Sequence, residues 1–75
     1  MKIGDKVKLI ITEKELNEIL KDNKDLENEI MECYNAKIGI IVDKILPNKF
    51  ISENYYCLHT NDNVAWKESE LELID

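Results

Sequence analysis

The stretch Lys37-Ile38-Gly39-Ile40-Ile41-Val42 is the most strand-like run in this chain. Its three isoleucines and one valine have β-branched side chains, which suit a pleated and half-buried surface. Gly39 interrupts the run, and a glycine inside a strand marks a bulge, a sharp bend or a close backbone approach. We therefore predict a strand over residues 37–46, the second in the chain, ended by Pro47-Asn48-Lys49.

Other short strands are predicted on both sides of this one. Apolar residues alternate with lysines over residues 6–11, which predicts a first strand after a turn at Gly4-Asp5. Later strands are predicted at residues 50–60, 64–66 and 71–74, with a turn at 61–63 and a short 3₁₀ turn at 67–70. Five short strands with tight turns favour closure into a small barrel, because closure removes exposed edges.

The orientation of a few strand residues can also be predicted. Val64 and Trp66 are two residues apart, so their side chains should share one face, and Leu71 and Leu73 should both point inward. Over residues 55–60 both alternating rows are partly apolar, so the pattern does not decide which row faces the core.

Residues 12–34 interrupt the strand pattern with helix signals. Thr12 and Glu15 have the Thr-x-x-Glu spacing of a capping box, and apolar residues follow at helical spacing. Asp22-Asn23-Lys24-Asp25 is a poor helix-forming stretch, so we predict two short helices over roughly 13–22 and 25–34. One continuous helix with a polar gap at Asn23 is the alternative.

The formal net charge of −6 is unevenly distributed along the chain. Residues 1–11 carry +2, whereas residues 12–33 carry −5 from eight acidic residues and three lysines. The chain contains no arginine, which disfavours nucleic-acid binding because cationic side chains supply most of the affinity for phosphate. The acidic balance instead favours solubility or a protein partner with a basic face.

The length of 75 residues predicts a single domain, 1–75, that is marginally stable alone. No apolar run approaches the roughly 20 residues that a transmembrane helix needs. Charged and apolar residues alternate over the first ten positions, unlike a signal peptide. We therefore expect a cytoplasmic protein without a membrane segment, and self-association stays open because small domains gain burial that way.

The residues that most often carry chemistry do not form a recognisable motif. Cys33 and Cys57 are too few for a disulfide scaffold and lie among apolar residues, so we expect buried free thiols. Cys57 and His59 do not complete a four-ligand zinc site, and His59 has no recognised nucleophile or orienting partner. We expect neither an enzyme nor a metal or cofactor site.

Four segments together resemble the SH3-like small barrels of the KOW-like kind, which include short phage and plasmid proteins of Gram-positive bacteria. These segments are residues 3–8, 37–42, 55–58 and 66–74, the last an aromatic followed by a polar turn and a Glu-Leu-Glu-Leu-like strand. The resemblance implies a mainly β, α+β fold: a five-stranded SH3-like barrel with one or two helices between strands one and two. The acidic insert at 12–34 replaces what is usually a loop in these barrels.

Together these features predict a non-enzymatic protein-interaction module, encoded by a phage or another mobile element, that docks on and modulates a bacterial protein. The contact would use the acidic insert or a groove of aromatic residues. The candidate contact residues are Glu15, Glu18, Asp22, Asp25, Glu29, Tyr34, Tyr55, Tyr56 and Trp66. The simpler interpretation of the same residues is a solvated helix face and aromatic rings that fill the core.

Two alternatives belong to other functional classes. One is a KOW-like nucleic-acid-binding domain that uses lysines on one face of the barrel, namely Lys2, Lys6, Lys8, Lys37 and Lys44. The other is a small-ligand-binding or sequestering protein with a pocket between the insert and the barrel or between subunits.

Overall fold

In a computed structural model that describes residues 1–74, the chain forms an α+β fold of five strands and two α-helices. In chain order the elements are β1 (Lys6–Leu9), α1 (Glu13–Asp22), α2 (Glu27–Ala36), β2 (Ile38–Ile45), β3 (Tyr55–Leu58), β4 (Asn61–Lys67) and β5 (Leu71–Leu73). Two short 3₁₀ turns, Lys24–Leu26 and Glu68–Glu70, precede α2 and β5 respectively.

All five strands belong to one antiparallel sheet with the order β4-β3-β2-β1-β5. The predicted second strand is confirmed at Ile38–Ile45. The structure places this strand at the centre of the sheet, where it pairs with β1 on one side and β3 on the other. The pairing of β2 with β3 shifts register between Ile41 and Asp43, so Val42 lies in a bulge. Strands β4 and β5 form the two edges of the sheet.

Gly39 lies close to the side chain of Leu58 on β3, whereas the predicted close approach was one of backbone. A Cβ atom at this position would lie 3.1 Å from the Cβ of Leu58. That separation is tighter than ordinary van der Waals contact, so a larger residue would require the Leu58 side chain to shift by a few tenths of an ångström.

The helical insert begins with the predicted capping box. The Thr12 Oγ1 accepts a hydrogen bond from the Glu15 N–H at 3.1 Å, and the Glu15 Oε1 accepts one from the Thr12 N–H at 2.9 Å. The helix ends near Asn23, whose Nδ2 donates to the Ile19 carbonyl at 2.9 Å. The interpretation as two helices is confirmed, although α2 lies two residues further along the chain than predicted.

The core lies between the inner face of the sheet and the helices. Its buried members come from every strand and both helices: Val7, Leu9, Ile11, Leu16, Ile30, Cys33, Ile41, Tyr56, Leu58, Val64, Trp66 and Leu71. Val64 and Trp66 share the buried face, as predicted. Since α2 packs directly against β4, the insert covers the sheet at that edge.

Two predictions about the second half of the chain are wrong. The turn between β3 and β4 lies at His59 and Thr60 rather than at 61–63, because Leu58 pairs with Asn61 across a two-residue connection. Leu73 lies opposite Val7, in the same row as Leu71, but its side chain is 53% exposed rather than buried, since it lies at the end of an edge strand.

The third strand is also shorter than predicted. Residues 50–54 form a loop, because the Asn48 Oδ1 accepts hydrogen bonds from the backbone N–H groups of Phe50 and Ile51 at 2.7 and 3.1 Å. Such a side-chain turn competes with strand pairing.

Candidate functional site

A groove of about 640 Å³ lies between the helical insert and strand β4, and we call it the insert groove. Its apolar lining consists of the half-buried Ile19 and Leu26, the exposed Ala65, and the buried side chains of Ile30, Val64 and Trp66 at its base. Charged residues from α1 and from the segment around the second 3₁₀ turn also line it, namely Glu15, Glu18, Asp22, Lys67 and Glu70. The groove therefore combines an apolar surface with an excess of negative charge.

The insert groove follows the free edge of β4. Five consecutive residues of this strand, 63–67, line it. Because side chains alternate between the two faces of a strand, a cavity on one face would contact only every second residue. A cavity that contacts residues of both rows instead runs along the edge of the strand.

The hydrogen-bond register shows which backbone groups of β4 point into this edge. The Glu68 N–H donates to the Asn54 carbonyl at 3.0 Å, and these two residues lie opposite each other by the register of β3 and β4. Hydrogen-bonded and non-hydrogen-bonded pairs alternate in an antiparallel ladder, so the next bonded pair is Tyr56 with Trp66. The N–H and C=O groups of Ala65 and Lys67 therefore point away from β3.

One of these outward groups already has a partner. The Lys67 N–H donates to the Glu70 Oε1 at 2.7 Å, which agrees with its outward orientation. The Ala65 N–H and the carbonyls of Ala65 and Lys67 are then the backbone groups that β4 directs toward the groove. Such a row of groups is a template for pairing with another strand.

The acidic residues of the groove influence one another electrostatically. Burial raises the pKa of Glu70, and the negative charges of Glu15 and Glu53 raise it further, whereas the backbone and charge of Lys67 act in the opposite direction. Hydrogen bonds from the backbone and side chain of Thr12 lower the pKa of Glu15. Negative charge is thus concentrated where α1 approaches the 3₁₀ turn, and a cation placed there would be attracted.

The structure divides the predicted contact residues into two groups. The groove brings together Glu15, Glu18, Asp22, Tyr55 and Trp66. The other four are not part of its lining.

Each of these four residues has a different environment. Asp25 is exposed on the first 3₁₀ turn, and Glu29 is half-buried in the first turn of α2. Tyr34 is half-buried, with the Lys37 Nζ 3.6 Å from the centre of its ring. Tyr56 is fully buried, so its ring offers no surface to a partner.

The hydroxyl of Tyr56 belongs to a hydrogen-bond network that supports the second 3₁₀ turn. It donates to the Glu68 Oε1 at 2.6 Å, and the Asn54 Nδ2 donates to the same oxygen at 3.3 Å. Burial, together with the hydrogen bond and negative charge of Glu68, raises the pKa of Tyr56 to about 12. The hydrogen bonds from Tyr56 and Asn54 lower the pKa of Glu68. This network fixes the connection between β4 and β5.

Trp66 and Cys33 meet where α2 packs on β4. The Trp66 Nε1 is buried and makes no hydrogen bond that meets the usual geometry among residues 1–74. Burial raises the pKa of the Cys33 thiol, and the Trp66 N–H opposes that rise. The packing of α2 on β4 therefore leaves one buried donor without a hydrogen-bond partner among the described residues.

Several residues of the groove carry no signal that identifies them in the sequence. Asn63, Ala65 and Glu70 belong to the site because β4 is an edge strand, and strand order cannot be read from a local pattern. The Glu70 carboxylate accepts the Lys67 N–H as in half of a capping box, but lysine has no side-chain acceptor, so the sequence does not show the usual signature.

The lysines of the nucleic-acid alternative are distributed between exposed and occupied positions. Lys2, Lys6 and Lys8 are exposed. Lys37 lies over Tyr34, and the Lys44 Nζ donates to the Met1 carbonyl at 3.3 Å.

No protein-family model, curated protein or solved structure matches this chain at a significant level. Neither helix described in residues 1–74 is long and apolar enough to cross a bilayer. Within the same residues, no group of three or more histidine, cysteine or acidic side chains is arranged to hold a metal ion.

Proposed function

We propose that this chain is a non-enzymatic protein-interaction module that binds a basic partner protein through the insert groove. The main support for the proposal is the composition of the insert groove. Along the edge of β4, apolar side chains lie beside three carboxylates of α1 and that of Glu70. Protein interfaces combine a buried apolar centre with charges at the rim, which steer the partner and select it. The net charge of −6 favours a partner of opposite sign.

The finer fold assignment belongs to the same proposal. We propose an SH3-like barrel that stays open between β4 and β5, in which the acidic insert replaces the loop between the first two strands. In support, β5 returns to pair with β1, and β2 pairs with strands of both halves of the sheet. A phage or mobile-element origin and action on a bacterial protein rest on the resemblance to SH3-like barrels. A cytoplasmic location rests on the alternation of charged and apolar residues over the first ten positions.

Charge reversal at the groove tests the proposal. Glu18 and Asp22 line the groove and are exposed, so E18K/D22K removes its negative charge with little expected effect on folding. Asp25 and Glu32 are exposed residues of the insert outside the groove, and D25K/E32K makes the same change in net charge.

The two variants and the wild type are compared by quantitative capture of proteins from a bacterial lysate, followed by association kinetics with the purified partner. We expect E18K/D22K to lose the partner that the wild type and D25K/E32K retain, with slower association and a weaker salt dependence. Equal retention by both variants would contradict docking at the groove, and the lack of any specific partner would contradict the proposal as a whole.

The volume of the groove also supports a second candidate, a small-ligand-binding or sequestering protein. Ligand pockets commonly have volumes of about 300–1,000 Å³, and the insert groove lies within that range. Native mass spectrometry of protein purified from its source would show a copurified small molecule if this alternative is correct. A nucleic-acid-binding function, which would use the exposed Lys2, Lys6 and Lys8, predicts retention on a DNA or RNA column at moderate salt.

A further inference from the structure

We infer that the insert groove takes an extended, lysine- or arginine-containing segment of the partner, which adds to β4 as a sixth strand of the sheet. This inference rests on the proposed function and specifies how the same site binds.

The outer edge of β4 offers a partner backbone groups that are unpaired within residues 1–74. Ala65 is exposed, and its N–H and C=O point away from β3, as does the Lys67 carbonyl. A strand laid along this edge would satisfy these groups with main-chain hydrogen bonds, which is the mode called β-augmentation. A helix could not do so, since its own backbone groups are already paired.

The side chains of the groove define the chemistry of the added strand. Glu15, Glu18 and Asp22 are spaced three and four residues apart, so they lie along one face of α1 over about 10 Å. An extended chain covers that length with about three residues. Lysine or arginine side chains on the row that faces α1 can therefore reach the carboxylates, while an apolar side chain two residues away on the same row packs against Ile19 and Leu26.

Charge complementarity excludes a second copy of this chain as the favoured occupant. The chain has a net charge of −6, and residues 12–33 alone carry −5. Pairing two β4 edges would bring both sets of α1 carboxylates together, and like charges at an interface oppose association. A basic segment of another protein reverses the sign of that interaction.

The opposite edge of the sheet provides a matched control. The Ile74 N–H donates to the Lys6 carbonyl at 3.0 Å, so by the same alternation the Leu73 N–H points away from β1. A proline at either outward position removes an N–H that the sheet itself does not use. The variants A65P and L73P therefore make the same chemical change at the two edges.

The test is selection of a random 12-residue peptide library on the intact protein. We expect enrichment of basic sequences in which apolar residues recur at two-residue spacing. A65P should weaken binding of a selected peptide at least tenfold, and L73P should leave it within twofold. Equal affinity of A65P and the wild type would overturn the inference, as would enrichment of acidic peptides or of none.

A second set of experiments changes the peptide and leaves the protein intact, so its result does not depend on whether A65P folds. In a strand added to an edge, only alternate N–H groups of the peptide bond to the sheet. N-methylation of that alternate set should weaken binding at least tenfold, and methylation of the other set should not. Equal tolerance of both sets would overturn strand addition.

The outcomes separate this inference from the proposed function. The selected peptides should be compared on all four protein variants. If they bind the wild type and D25K/E32K but not E18K/D22K, and neither A65P nor N-methylation weakens that binding, the interaction module is supported and strand addition is excluded. Loss of strand addition together with no specific lysate partner would exclude both.

Discussion

The two edges of the sheet differ in length and in what covers them. Strand β5 has three residues, and its first N–H is occupied by the Glu68 carbonyl. Strand β4 has seven residues, and the insert packs beside it. A short edge offers little to an intruding strand, whereas a long edge needs a cover. The cover at β4 is incomplete, and the space that it leaves is the insert groove.

The two edges also differ in how far their side chains are buried. Near the β4 edge, Ile30 and Trp66 are each only 1% exposed. At the β5 edge, Leu73 is 53% exposed. Core residues at the β4 edge therefore also line the insert groove. The same side chains can contribute to stability and to binding there, which is not the case at the β5 edge.

The largest expected effect is on stability at the insert side. Ile30→Ala should lower the free energy of unfolding by about 2–5 kcal/mol, because it leaves a cavity between α2 and β4. Leu73→Ala, at the exposed edge, should change it by less than about 0.5 kcal/mol. Urea denaturation followed by the fluorescence of Trp66 measures both, and similar losses in the two variants would contradict the comparison.

A smaller effect is expected at the 3₁₀ turn that joins the two edges. Tyr56→Phe removes the hydrogen bond to Glu68 and should cost about 1–3 kcal/mol at neutral pH, since the carboxylate loses a buried donor. Urea denaturation at neutral pH checks this value. A cost near zero would mean that the network does not support the turn.

The pH dependence of the same variant has a definite sign. Folding raises the pKa of Tyr56 from its ordinary value near 10 to about 12, so folding favours the protonated form. This contribution is complete below pH 10 and is lost as the pH rises from 10 to 12. Burial also raises the pKa values of Cys33 and Cys57, so their deprotonation lowers stability at high pH. This loss of stability is the same in the wild type and in Tyr56→Phe. The stability difference between wild type and Tyr56→Phe should therefore shrink over that range, and a constant difference would contradict it.

The N-terminus of the insert should contribute about 1 kcal/mol through its capping box. Thr12→Ala removes the side-chain acceptor for the Glu15 N–H and should lower stability by that amount. Ser69→Ala, at an exposed position in the second 3₁₀ turn, is the control and should stay within about 0.5 kcal/mol. Thermal unfolding monitored by circular dichroism distinguishes them.

The smallest effect on stability is expected from E18K/D22K, although it should abolish partner binding. Asp22 lies in the last turn of α1, where a lysine interacts better with the helix dipole than a carboxylate does. Its unfolding free energy should stay within about 0.5 kcal/mol of the wild type. A large loss of stability would mean that the α1 carboxylates maintain the fold rather than a binding site.

Local sequence patterns predicted much of the secondary structure for physical reasons. β-Branched residues marked β2, and a reciprocal cap marked the start of α1. The weak stretch around Asn23 marked the break between the helices, because its residues favour turns over a helix interior. These features depend on neighbours within a few positions.

The rest depends on contacts that are distant in sequence. Tyr55 and Tyr56 are adjacent aromatics in alternating rows, and only the packed sheet shows that Tyr56 is the buried one. Leu73 followed an inward pattern but lies where the last strand ends. The insert groove requires both the position of β4 at an edge and the packing of α2 against it, and neither follows from a local pattern.

Backbone amide hydrogen exchange at Ala65, measured with and without a selected basic peptide, tests the role of the β4 edge most directly. In the free protein the Ala65 N–H should exchange faster than the backbone N–H of Trp66, which belongs to the ladder with β3. The bound peptide should slow exchange at Ala65 at least tenfold and leave Leu73 unchanged. Unchanged exchange at Ala65 in the saturated complex, or protection at Leu73 instead, would contradict the account.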